Sequence, residues 1–202
     1  MNTIIQALRP AVSVFVLLSA ITGIAYPLLV TGVAQAAFAH TANGSIVTVG
    51  GQAVGSSLIG QSFSAPKYFW SRPSATGTMP NNGSASGGSN LGANNPALGD
   101  AVKGRIHALR AADPGNTQAV PIDLVTASGS GLDPEISLAA AAYQVPRIAR
   151  ARGLGIDAVQ ALIASHAQQA WLGVVGEPRV NVLALNLALD GKAAGTTMTP
   201  AR

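Results

Sequence analysis

Between Ala11 and Ala34 the chain carries 24 residues without one charged side chain. The polar members, Ser13, Ser19, Thr22, Tyr26 and Thr31, are all uncharged. As a helix rising 1.5 Å per residue, such a stretch reaches about 36 Å, against about 30 Å for the hydrocarbon core of a bilayer. The segment is therefore expected to span a membrane once, with some tilt. Pro27 removes a backbone donor and is expected to kink the helix. Thr22, Gly23 and Gly32 are small enough to let a partner helix approach closely, and are also ordinary small-residue content.

The flanks set the orientation. Arg9 and the N-terminal amine precede the span, and no Lys, Arg, Asp or Glu follows it until Lys67. The positive-inside bias puts residues 1–10 in the cytoplasm, 11–34 in the bilayer and 35–202 outside. A cleaved signal peptide is the competing reading, because Ala34-Gln35-Ala36 has the small-x-small form of a cleavage site. The apolar run is, however, much longer than the roughly 7–15 residues of a signal core.

Composition limits the chemistry. Charged residues make up 10% of the chain, and aromatics 4%, so the core must rest on Ala, Leu, Val and Ile. There is no Cys, which excludes disulfides, thiolate zinc sites and thiol catalysis. The net charge of +4 is dispersed; its densest group is Arg147, Arg150 and Arg152, without the basic stripe of a nucleic-acid surface. No nucleic-acid partner is expected.

Beyond the anchor the pattern predicts an α+β domain, helix-rich, with one β-hairpin. Gly50-Gly51 lies between two short β-prone runs within 44–60. Tyr68-Phe69-Trp70 reads first as a small core patch. Residues 73–96 are uncharged and rich in Ser, Gly, Asn, Thr and Pro, which is linker composition; a loop of this length inside a compact domain is often functional. Leu98, Val102, Ile106 and Leu109 predict a helix over 97–112, stopped by Asp113-Pro114-Gly115-Asn116. Pro121 to Val125 is expected to be extended. Asp133 suits an N-cap, with Pro134 and Glu135 in the first turn of a helix that Pro146 should break or kink. Gly153 and Gly155 end that element, and Asp157 helps to start the next. Residues 178–189 are ambiguous: Leu183, Leu185, Leu187 and Leu189 alternate like a strand, while Pro178 and Gly191 bracket a helix, which is the favoured reading. Residues 190–202 are expected to be a loose tail.

Most searches for chemistry fail. No phosphate loop and no dinucleotide glycine pattern is present. His40, His107 and His166 lack paired ligand spacing. Ser128 or Ser130 would need a distant His and Asp to make a hydrolase, and the stretch reads more simply as a turn feeding a helix. That turn could also present N–H groups to an anion, though capping by Asp133 accounts for it. Gln144 could bridge to a ligand or satisfy backbone freed by Pro146, and Arg147 and Arg179 could pair with Asp123, Asp157 or Glu177 at the surface.

A set of short blocks goes further. They are Phe69-Trp70-Ser71-Arg72-Pro73-Ser74-Ala75, Ser86-Gly87-Gly88-Ser89-Asn90-Leu91, Asn95-Pro96 and Val120-Pro121. Thr126 to Pro134, Tyr143-Gln144-Val145-Pro146-Arg147-Ile148-Ala149, Gly176 to Val182 and Leu185-Asn186 continue the order. Each block is weak alone; the ordered set resembles the C subunit of the bacterial Kdp potassium-transporting ATPase.

The resemblance implies a non-catalytic subunit of an ATP-driven, high-affinity potassium uptake complex in the bacterial inner membrane. Its implied partners are a channel-like potassium-binding subunit, a P-type ATPase subunit and a small single-helix subunit, besides the bilayer. It implies assembly and stabilisation of the pump, and a chaperone-like role that raises the ATPase subunit's affinity for ATP. Gln144 matches the glutamine proposed in that family to contact nucleotide. ATP is cytoplasmic while the anchor places Gln144 outside, so ATP is expected to act through the complex, with no cofactor held by this chain. Tyr68, Phe69, Trp70, Arg72, Asn90, Arg147 and Arg179 are the residues expected to dock against partners. A free-standing, membrane-anchored periplasmic binding protein is the alternative.

Overall fold

A computed structural model describes residues 2–191 except 171, 172 and 174. The expected loose tail therefore lies, from residue 192 onward, outside the described residues. The chain divides into two compact units, Met1–Ser45 and Ile46–Arg202.

The first unit is helical. α1 (Asn2–Ala20), a π-helical turn (Ile21–Ala25) and α2 (Tyr26–Ala37) follow without a break. Gln6–Ala37 is long and apolar enough to cross a membrane, and its large side chains, Phe15, Leu17, Ile24 and Leu28 among them, are exposed. The expected kink at Pro27 takes a specific form. Pro27 has no N–H to donate and its ring crowds the preceding turn, so the helix widens ahead of it, with Tyr26 N–H donating five residues back to Ile21 O. A one-turn helix, α3 (Ala39–Ala42), closes the unit. Asn43 and Gln35 exchange side-chain amide hydrogen bonds at 3.1 and 3.2 Å across it.

The second unit mixes helices with two small antiparallel pairs. β1 (Ile46–Val49) and β2 (Gln52–Ser56) form the predicted hairpin, with a register shift between Val47 and Thr48. Gly50 and Gly51 both have positive φ (57° and 80°), the requirement of a two-residue hairpin turn. No regular element follows until α4 (Pro96–Ala112), which Asn95 caps by accepting from Ala97 N–H at 3.0 Å. The Leu-Val-Ile stripe was a correct guide to this helix.

The next elements differ from the sequence reading. Residues 122–124 form a 3-10 turn rather than an extended run. The helix expected from Asp133 begins later. β3 (Glu135–Ser137) comes first, paired with β4 (Arg179–Asn181) through Ile136↔Val180. Asp133 instead accepts from Glu135 N–H at 3.0 Å, and Ser137 caps α5 (Leu138–Arg152) by accepting from Ala140 N–H at 3.0 Å. A cap is a local signal worth about 1 kcal/mol, and pairing to β4 outweighs it. Pro146 lies inside α5 without ending it. Ala142, whose carbonyl loses the Pro146 donor, is exposed, so water can supply the missing bond. Gly153, left-handed at φ 65°, ends α5 as predicted. α6 (Ile156–His166) follows, and then both readings of 178–189 prove partly right: a three-residue strand, β4, runs directly into α7 (Val182–Leu189).

α5 is the hub of the core. Its Ala140, Ala141, Val145 and Ile148 pack with Phe69, Ile136, Val159, Val180 and Leu185. The small side chains of α5 let its neighbours come close, which compensates for the scarcity of rings. A smaller cluster joins Val47 to Leu183 and Leu187.

Candidate functional site: an aromatic segment clamped between two helices

A turn at 65–68, closed by Tyr68 N–H donating to Ala65 O at 3.1 Å, leads into residues 69–72, which lie in no strand, so their backbone donors and acceptors need other partners. Two amide side chains supply them. From α7, Asn186 accepts from Phe69 N–H at 2.8 Å and donates to Phe69 O at 3.0 Å. From α5, Gln144 accepts from Trp70 N–H at 2.8 Å and donates to Trp70 O at 3.2 Å. Each amide thus imitates one residue of a neighbouring strand. The remaining capacity of Gln144 is also used: Oε1 accepts from Arg147 Nη2 at 2.6 Å, and Nε2 donates to Ala140 O at 3.2 Å. The residue is 1% exposed.

Arginines complete the clamp. Arg147, one turn beyond Gln144, is buried and donates to the carbonyls of Pro66 and Tyr68 while its guanidinium lies 4.5 Å from the centre of the Trp70 ring. Burial pulls its pKa down to about 10, opposed by Asp113 and Tyr143, so it stays protonated at neutral pH. Arg152 donates to Lys67 O at 2.7 Å and Leu189 O at 2.9 Å, and pairs with Asp190 at 2.8 Å. Tyr68 lies under the same guanidinium and donates its hydroxyl to Asp190 at 2.8 Å, which with burial raises the Tyr68 pKa.

The expected docking residues are therefore distributed unevenly. Phe69 is wholly buried and Arg147 nearly so; both are core, and neither offers side-chain surface. Tyr68, Trp70 and Arg72 are half-buried, while Asn90 and Arg179 are exposed. Asn90 adopts a left-handed φ of 51° in the long loop, away from the clamp in sequence. The expected ion pairing of Arg147 and Arg179 with Asp123, Asp157 or Glu177 is replaced: Arg179 pairs with Glu135 at 2.6 Å, and Arg147 with backbone carbonyls.

The long 73–96 loop is not a free linker. Ser74 Oγ donates to Gly131 O at 2.7 Å, Gly87 N–H to Ser130 O at 2.8 Å, and Ser86 Oγ to the same carbonyl at 3.1 Å. The Ser128–Gly131 turn is thus the seat of the loop and no anion site ahead of a helix, since β3 follows it. Ser130 Oγ accepts from Leu132 N–H at 3.1 Å, and no His bonds to Ser128 or Ser130 among the described residues.

Beside the clamp lies a groove of about 480 Å³. Its lining includes Arg72, Asp123, Asp133, Glu135, Glu177 and Arg179. Arg72 pairs with Asp133 at 3.0 Å and Asp123 accepts from Ser137 N–H at 2.8 Å, so much of the charge is already engaged. Burial raises the pKa of Glu135, against the opposing pull of Arg179. A second hollow of about 310 Å³ is lined by Trp70, Arg72 and Arg105. Among the described residues no three His, Asp or Glu are grouped to hold a metal. The arrangement is that of a surface whose charges are largely paired within the chain, and among the described residues that line it no nucleophile is brought together with a base.

Asn186, Arg152 and Asp190 are parts of the clamp that residue-by-residue reading missed. Asn186 had a usable signal, being a lone amide in the otherwise apolar run of α7.

The family whose members are described as K+-transporting ATPase, c chain, matches residues 8–191. A potassium-transporting ATPase KdpC subunit of Variovorax paradoxus is 66% identical over 194 residues, 96% of this chain and 99% of the relative. Those of Janthinobacterium sp. and Polaromonas naphthalenivorans are each 64% identical, covering 90% and 91% of this chain and 96% and 93% of the relatives.

Proposed function

This chain belongs to the KdpC family, the c chain of K+-transporting ATPases, and from that membership we propose a division of labour in which it assembles and steadies the pump while other subunits carry ATP hydrolysis and the potassium path. The helix Gln6–Ala37 anchors it, with the N-terminus cytoplasmic and the second unit outside. Its partners are the channel-like potassium-binding subunit, the P-type ATPase subunit and the small single-helix subunit. The domain covers the outer potassium entrance, with Tyr68, Trp70, Arg72, Asn90 and Arg179 and the seated 73–96 loop as docking surface.

One observation carries this reading: every hydrogen-bonding position of Gln144 is occupied within the chain. A nucleotide contact there would have to displace one of its bonds to Trp70, Ala140 or Arg147. We therefore assign Gln144 to building the docking segment. The rise in ATP affinity of the ATPase subunit then comes from coupling between conformational states through the membrane helices.

Separate measurements test sidedness, the ATP route and the docking loop. Protease added to intact spheroplasts should digest the second unit; protection there, with digestion only after lysis, would reverse the sidedness. In purified complexes, Gln144→Ala should lower ATP affinity only in proportion to the chain lost from the complex. Specific ATP binding by the chain alone, abolished by Gln144→Ala, would overturn the indirect route. Deleting 79–90 should impair assembly in mild detergent, and normal assembly with normal uptake would count against the loop as docking surface.

A further inference from the structure

The irregular turn in the N-terminal helix takes the i+4 donors of an α-helix from two carbonyls. The π-helical turn Ile21–Ala25 falls at the middle of the apolar span Gln6–Ala37. Tyr26 N–H donates to Ile21 O, so Thr22 O loses the donor that an α-helix would give it. Pro27 has no N–H, so Gly23 O loses its donor as well. Two successive carbonyls at mid-span are thus without their ordinary partners.

Nearby side chains do not stand in. Helical side chains lean towards the N-terminus, and the Thr22 hydroxyl follows that rule by donating back to Leu18 O at 2.7 Å. The next polar side chain, Tyr26, carries its hydroxyl at the far end of a rigid ring that is itself exposed. Hydrocarbon offers no donor, and an unsatisfied carbonyl there is costly. A Cβ placed on Gly23 would meet no atom within 4 Å beyond the helix's own nearby backbone, so the Gly23 position itself is open.

We infer that the Thr22 and Gly23 carbonyls form a docking site at the membrane midplane for a transmembrane helix of another subunit, one that presents a hydroxyl or carboxamide donor at that depth. The inference rests on reading Gln6–Ala37 as the anchor of a complex subunit. A neutral donor fits better than a charged one, whose burial in lipid costs more. Gly23 lets the two backbones approach closely enough for a short side chain to reach. The acceptors fix depth and rotation, which a smooth apolar helix would leave unspecified.

Pro27→Ala provides the test, because it makes a better helix and removes the site. The new N–H satisfies Gly23 O, the turn closes to α, and Tyr26 N–H returns to Thr22 O. The full-length chain is co-expressed with its partner subunits, and the fraction that co-purifies is measured through a mild-detergent titration. Pro27→Ala should weaken retention roughly three- to tenfold, the range for hydrogen bonds between membrane helices. Gly23→Leu should weaken it at least as much, by blocking approach. Pro10→Ala, which lies outside the site and keeps both carbonyls, should assemble as the parent does. Retention of Pro27→Ala equal to the parent overturns the inference, as does an equal loss of assembly in Pro10→Ala. Carbonate-washed membranes separate the two readings. A chain that washes off removes the anchor and the docking site together, whereas a retained chain whose assembly ignores Pro27→Ala removes the docking site alone.

Discussion

Gln144 holds Trp70 by its backbone, accepting from the N–H at 2.8 Å and donating to the C=O at 3.2 Å across 74 positions of sequence. Replacing it with Ala strands that part-buried N–H and C=O, and takes a buried acceptor from Arg147. Each orphaned group costs about 1–3 kcal/mol, so Gln144→Ala should destabilise the chain by roughly 3 kcal/mol. Thermal unfolding of the full-length chain in detergent measures this; a change below about 0.5 kcal/mol would make the clamp incidental.

Asn186 grips the adjacent residue, Phe69, in the same way. The two amides therefore share one task. Once either is gone, the segment is partly released and the other has less to hold. The double variant Gln144→Ala/Asn186→Ala should cost less than the sum of the single variants, with a coupling of about 1 kcal/mol. Strict additivity in a double-mutant cycle would show that the two grips act independently.

Gly131 decides whether the long loop has a seat. Its φ is 68°, and a Cβ there would sit 2.7 Å from both Gly87 O and Thr76 Cγ2. Gly131→Ala should cost about 2–4 kcal/mol, from left-handed strain and from displacement of the loop, and should open residues 76–87 to protease. Gly129→Ala is the control, because no atom lies within 4 Å of its added Cβ and its φ is not positive. Equal protease resistance in the two variants would mean that the loop is held elsewhere.

Glu135 predicts an unusual pH response. Burial raises its pKa above the ordinary glutamate value, with Arg179 opposing. Between the unfolded and the raised folded pKa, the folded chain binds more protons than the unfolded one, so this group's contribution falls as pH rises through that window. Glu135→Gln carries no such penalty. Its melting temperature relative to the parent should therefore be higher near neutral pH than in the acid range. The opposite trend would show that the Arg179 pair outweighs burial.

How much of this was legible in the sequence depended on how far away the deciding partner lies. The Gly50-Gly51 turn and the helix of Leu98, Val102, Ile106 and Leu109 are local, and were read correctly. Asp133-Pro134 carried a genuine start signal that β4, more than 40 positions on, overrode by pairing with Ile136. Residues 178–189 gave two signals because two elements abut there. The loop composition described its exposure but not its seat on Ser130 and Gly131. In the clamp, Phe69 and Asn186 are 117 positions apart, and nothing near either residue names the other. The ordered family blocks did collect Trp70, Gln144, Arg147 and Asn186, which shows that such blocks can gather a site whose geometry they do not describe.

Arg147 separates shape from charge. Its fork reaches Pro66 O, Tyr68 O and Gln144 Oε1 while its flat face covers the Trp70 ring. Lys keeps the charge but has neither the fork nor the plane, so it can serve one or two of these partners and stacks less well. Arg147→Lys should destabilise by about 2 kcal/mol and shift the Trp70 fluorescence as the cation leaves the ring. Lys103→Ala, which removes an exposed pair with Asp100 at 3.7 Å, should stay within about 0.5 kcal/mol of the parent. If Arg147→Lys behaves like Lys103→Ala, positive charge alone is what the segment needs, and the directional hydrogen bonds contribute little.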